Sequence, residues 1–125
     1  MSVIRHTDAR RTETPNAVMT TLASPAQGGA DLSVWRTEMQ GGAKGPRHTS
    51  GTEQVWTFLT GTAAVDLGGE SLELAEGDTA VLPADVPRRV TAGPDGFTAV
   101  VAARAGTVVY DVEGRDDRIV PDWVR

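Results

Sequence analysis

No stretch of the 125 residues keeps apolar side chains at a helical spacing for the length of a helix. Turn signals instead recur every several residues, and they cut the chain into short segments rich in β-branched and aromatic side chains. Leu32 to Met39 reads as a strand, followed by the flexible run Gly41-Gly42-Ala43-Lys44-Gly45-Pro46. Gln54 to Thr60 is a second strand. Thr62 to Leu67, the turn Gly68-Gly69 and Ser71 to Leu74 form the clearest hairpin. Gly77-Asp78 turns into a strand over Thr79 to Leu82. Beyond Pro83 come strands over about Arg88 to Thr91 and Phe97 to Arg104, and Thr107 to Val112 could add an edge strand. Fourteen glycines and seven prolines suit such a chain. The expectation is an all-β protein, closed or sandwiched, with antiparallel strands.

The length suits one domain. Residues 1–28 are polar and broken by Pro15 and Pro25, so they are expected to form an N-terminal arm that could pack on a partner subunit. Residues 29–112 are expected to form the barrel and residues 113–125 a C-terminal tail. In that tail, Trp123 is an apolar anchor for the barrel or for a second subunit. A net charge of −5 argues against a nucleic-acid partner. The absence of cysteine excludes disulfides and thiolate metal sites and suits a reducing cytoplasm. No apolar run approaches the ~20 residues that span a bilayer, and the first residues carry no apolar signal core. A cytoplasmic protein without membrane contact is therefore expected.

Residues Gly42 to Gly61 resemble the first motif of the cupin family, in which a glycine precedes two histidines, a glutamate and a closing glycine. Gly42, His48 and Gly61 fall in register. Ser50 stands at the second histidine position and Gln54 at the glutamate position, with Glu53 one residue early. The second motif is matched by Gly77 and Pro83, while Asp85, Arg88 and Ala92 replace its glycine, histidine and asparagine. The resemblance covers roughly residues 31–104 and implies a small jelly-roll barrel, or double-stranded β-helix. The texture is also similar to small stand-alone cupins of actinobacteria, several of which serve natural-product pathways as cyclases or isomerases.

Cupins that hold a metal use imidazoles and a carboxylate projecting into the barrel. Here the resemblance leaves one imidazole, one amide, a serine and a fixed cation, so no metal or other cofactor is expected. Strand alternation puts Gln54, Trp56 and Phe58 on one face, which the resemblance turns toward the cavity. Ser50 joins them as a substrate-contacting residue. His48 is the candidate general acid or base, although it would serve equally as a structural imidazole in its loop. Arg88 is the candidate anchor for a carboxylate, phenolate or enolate. The expected activity is metal-independent acid–base chemistry of isomerase, cyclase or dehydratase type on an aromatic or polyketide-like substrate. Two alternatives stand beside it: a non-catalytic small-molecule-binding barrel, and a metal-dependent oxygenase or cyclase with a degenerate site. A homodimer is expected, since an unpaired edge strand invites self-association.

Overall fold

The computed structural model describes residues 1–125. Nine strands carry the fold: β1 Arg10–Glu13, β2 Val18–Ala23, β3 Leu32–Met39, β4 Thr49–Ser50, β5 Gln54–Leu67, β6 Glu70–Leu74, β7 Thr79–Leu82, β8 Arg88–Arg104 and β9 Val109–Tyr110. The only helical structure is three 3-10 turns, at His6–Asp8, Val112–Gly114 and Asp122–Val124. Every pairing between strands is antiparallel, and this is the expected jelly-roll barrel.

Two long strands make the barrel by bending. Four segments expected as separate strands are joined here in pairs, because β5 runs through Gly61 and β8 through Pro94-Asp95-Gly96 without losing their mutual pairing. The register shifts beside Gly61, where a left-handed φ of +78° and close approach to the Gly96 carbonyl leave no room for a Cβ. On one side of the bend, Gln54 to Gly61 pair with Phe97 to Ala103. This half extends through β3, β2 and β1 in one direction and β7 in the other. On the far side, Ala63 to Leu67 pair with Arg88 to Ala92, flanked by β6. Residues 42–48 run along the opposite edge of β8, through backbone bonds at Gly42, Gly45 and His48, and lead into the β4–β9 pair.

Inward and outward residues alternate as the pleat demands. Across the first half the inner rows read Ser33–Ala103–Gln54–Leu82, then Thr21–Trp35–Val101–Trp56–Ala80, then Met19–Thr37–Ala99–Phe58. These rows meet Val65, Val90 and Ala92 from the second half in a single buried core.

Both ends of the chain join this body. Residues 1–28, expected as an arm, supply β1 and β2 to the main sheet of their own chain. The final segment pairs with β9 through Val109 and Ile119, then crosses to the first half of the barrel. There the Thr21 hydroxyl donates to the Trp123 carbonyl at 2.8 Å, Ser24 to that of Arg125 at 2.6 Å and Ser33 to that of Val124 at 2.5 Å. Val124 is buried in the core. Trp123 thus packs on its own barrel, one of the two destinations expected for it.

Candidate functional site

The inner rows do not fill the barrel completely. A cavity of about 510 Å³ lies between the first half and the segment 45–48, within the range of small-molecule sites. Trp35, Thr37, Met39 and Trp56 line it from β3 and β5, and His48, Val90 and Val109 face them. The turn Thr14–Ala17 and residues 119–125 also line it, so both chain ends border it.

His48 owes its position to a two-way backbone bond with Arg88, at 2.9 and 2.8 Å, which holds the loop against β8. Its Nδ1 lies 3.0 Å from the Pro46 carbonyl. A carbonyl only accepts, so Nδ1 carries the hydrogen and Nε2 is left with its lone pair. Burial pushes the imidazole below its ordinary value of 6.5, the Pro46 carbonyl opposes that shift, and the Arg88 cation adds to it. The neutral, basic form therefore dominates at neutral pH.

Gln54 and Trp56 sit on the cavity side, as alternation predicts, and the Trp56 indole N–H donates to the Gln54 carboxamide oxygen at 3.1 Å. Phe58 shares their face but lies one row deeper, fully buried, with ring centroids 5.2 Å from Phe97 and 6.1 Å from Trp56. It is packing for the wall and does not line the cavity. Ser50 is also buried away from the cavity, and its hydroxyl donates to the Thr52 carbonyl at 3.0 Å.

Arg88 is fully buried on the inward face of β8, yet its guanidinium turns from the cavity into the loop Pro83–Pro87. Nε and Nη2 donate to the Val86 carbonyl at 3.2 and 3.1 Å, Nη2 also donates to that of Pro83, and Nη1 has no partner. Burial lowers its pKa, against the pull of Tyr110 and Asp85. Of the six residues singled out by sequence, the structure brings His48, Gln54 and Trp56 together on the cavity. Ser50, Phe58 and Arg88 lie behind it.

The donors at the metal positions of the resemblance do not suit a divalent ion. His48 offers one nitrogen, Gln54 an amide oxygen already accepting from Trp56, and Ser50 a hydroxyl turned to a carbonyl. Arg88 brings a positive charge beside them. No three His, Cys, Asp or Glu side chains cluster anywhere in the chain.

Sequence reasoning missed the β3 wall. Trp35 and Thr37 are 2% and 1% exposed and both border the cavity, and the Thr37 hydroxyl, itself sealed from it, has no hydrogen-bond partner. Alternation within Leu32 to Met39 would have put Ser33, Trp35, Thr37 and Met39 on one face. It would not have said which face, because that strand carries no motif residue to orient it.

A family model described as a cupin domain matches residues 35–103. Oxalate decarboxylase from Bacillus subtilis superposes with a TM-score of 0.72 at 16% identity, covering 81% of this chain and 28% of its own. Salicylate 1,2-dioxygenase from Pseudoaminobacter salicylatoxidans gives 0.72 at 22% identity, over 85% of this chain and 31% of its own. The present chain thus spans less than a third of either enzyme. An RmlC-like cupin from Shewanella frigidimarina is closer in size, with a TM-score of 0.71, 17% identity and coverage of 83% and 90%. No curated protein matches. Likeness at these identities speaks for the fold, which hosts many chemistries.

Proposed function

Because the chain belongs to the cupin-domain family, matched over residues 35–103, we propose that its barrel is a small-molecule site in which His48 moves a proton without a metal. The reaction would be of isomerase, cyclase or dehydratase type, on a planar and largely apolar molecule. One observation carries this reading: Nδ1 of His48 is committed to Pro46, so a neutral imidazole on the cavity wall keeps its Nε2 lone pair free. The nearby Arg88 cation disfavours the imidazolium that forms when Nε2 takes a proton. A base of this kind returns its proton within the same turnover, which suits a reaction that relocates a proton on one substrate. Arg88 then serves as a positioning residue, holding the His48 backbone and adding to the burial that keeps the ring neutral. The tryptophan walls would orient a flat ring system.

A second reading, a binding barrel without catalysis, is favoured by one observation. His48 is the sole titratable group on the inner wall; Asp122 and Arg125, in the terminal segment, are the others that border the cavity. The two readings separate in one experiment on a ligand found by thermal-shift screening of aromatic and polyketide-like compounds. In the catalytic reading, His48→Gln lowers turnover by roughly 10²–10⁴-fold while affinity changes by less than about tenfold. Unchanged turnover in that variant would sink it.

We also propose that two copies of the chain pair. Val81, Leu32 and Leu59 are 55%, 52% and 46% exposed on the outer face of the first half, which supports self-association. The chain ends no longer do, since both pack on their own barrel. Sedimentation as a monomer at tens of micromolar, a concentration at which homodimers ordinarily persist, would count against pairing.

A further inference from the structure

Given the barrel as a small-molecule site, on which this step rests, we propose that residues 120–125 are its lid. The ligand enters and leaves the cavity when this segment lifts off β2 and β3, while the barrel stays folded. Three observations converge on this.

The first is where the segment lies. Thr21 and Ser33, which hold it, belong to the inner rows of β2 and β3, and Thr21 shares its row with Trp35 on the cavity lining. Every residue from Ile119 to Arg125 borders the cavity. Among all the lining residues, the exposed ones are Pro15, Ile119, Asp122 and Arg125. The boundary between cavity and water therefore runs along this segment and the turn Thr14–Ala17.

The second is how the segment is held. Ile119 is the last residue in backbone register with the barrel, through its two bonds with Val109 at 2.8 and 3.0 Å. From Val120 onward no backbone–backbone bond reaches a strand. Side chains alone fasten it: the hydroxyls of Thr21, Ser24 and Ser33, and Arg10, which donates to the Asp122 carbonyl at 3.2 Å and to that of Arg125. Lifting the segment breaks no sheet ladder, and the released donors pass to water instead of staying buried and unpaired. Val124, 1% exposed, is the apolar contact that favours the docked position.

The third is that the segment carries its own bonds. The Val124 N–H donates to the Pro121 carbonyl at 3.0 Å and the Arg125 N–H to that of Asp122 at 3.4 Å. The Arg125 guanidinium donates to the Asp122 carboxylate at 3.0 Å. None of these involves the barrel, so the turn keeps its shape on leaving and moves as one piece about Ile119.

The test has two arms. The chain has no cysteine, so Val124→Cys and Val101→Cys each carry one thiol, the first on the lid and the second in the core of β8. Dithionitrobenzoate should react at least about tenfold faster with the first. That reaction should change little in low urea while the second accelerates, because lifting the lid exposes far less surface than unfolding. The second arm follows a neutral fluorophore, N-phenyl-1-naphthylamine, by stopped flow. Combining Thr21→Val with Ser33→Ala should raise its association and release rate constants together, by at least about fivefold. Affinity should stay within about twofold, since both directions pass through the same opening. The lid is overturned if the two thiols react alike in rate and urea dependence, or if the double variant leaves both rate constants unchanged. It is overturned too if release alone quickens, which would make the segment a fixed wall of the site. A fast-reacting thiol in a chain that does not bind N-phenyl-1-naphthylamine would instead overturn the small-molecule reading of the barrel, and the lid's function with it.

Discussion

His48 and Arg88 constrain each other at the scale of single residues. Their backbones are bonded in both directions, and the cation of one helps hold the ring of the other neutral. A histidine whose folded pKa is depressed contributes stability above its unfolded value, and that contribution is lost as protons bind the unfolded chain preferentially. Stability should therefore fall as pH drops through 6.5 and below. Urea denaturation across that range should show the loss in the wild type and a flatter profile in His48→Gln; equal slopes would refute the assignment. Glu113, held low by the Arg47 backbone N–H and the Arg89 guanidinium, loses its contribution only further into acid, so the two windows are separable. Arg88→Lys tests the other partner. An ammonium cannot reach the Pro83 and Val86 carbonyls with the spread of a guanidinium, so the variant should lose about 1–3 kcal/mol of stability. Affinity for the ligand found by thermal-shift screening should stay within about twofold, because Arg88 does not touch the cavity. A tenfold loss of affinity in a folded Arg88→Lys would restore the anion anchor expected from sequence alone.

At the scale of elements, β3 and β7 fall where alternation placed them, at Leu32–Met39 and Thr79–Leu82, and the hairpin at Gly68-Gly69 is present. Gly61 and Pro94-Asp95-Gly96 were read as breaks, but they bend β5 and β8 in register with each other. Local turn chemistry cannot distinguish a corner from an end, because the answer depends on whether the partner strand bends at the same place. The strands β1 and β2 were illegible for a different reason. Their threonine-rich, polar segments owe their pairing to β3, which supplies the edge they extend. Half of the proposed site was visible because His48, Gln54 and Trp56 belong to a motif or follow it by parity. The guanidinium of Arg88 went elsewhere because three hydrogen bonds to the Pro83 and Val86 carbonyls of the preceding loop compete for it. Gly61 gives the element-scale prediction. Gly61→Ala and Gly69→Ala both place a Cβ at positive φ, but only the first drives it into the Gly96 carbonyl and Phe97 Cα. Gly69→Ala should cost about 1 kcal/mol and Gly61→Ala more than about 3 kcal/mol. Equal melting temperatures for the two variants would contradict the corner.

Across the whole molecule, residues 119–125 act as a seam between the β4–β9 pair and the first half of the barrel, joined to β9 on one side and to Thr21, Ser24 and Ser33 on the other. Each hydroxyl donates to a backbone carbonyl, a bond worth about 0.5–1.5 kcal/mol in net stability. The double variant Thr21→Val, Ser33→Ala should therefore loosen the seam before the sheet. Hydrogen exchange should speed up across residues 119–125, with amides of β5 and β8 still protected. Uniform acceleration throughout the chain would show that the seam is integral to the fold.

The bond from Thr21 to Trp123 joins residues 102 positions apart, and the cavity lining draws on both ends of the chain. During synthesis the first strands emerge long before the segment that closes over them. The pocket is therefore completed only when these distant contacts form. A ligand that touches both regions binds the closed molecule more tightly than one whose terminal segment is undocked. It would act as a selector of completed chains, drawing the folding equilibrium toward them in proportion to its concentration over its dissociation constant.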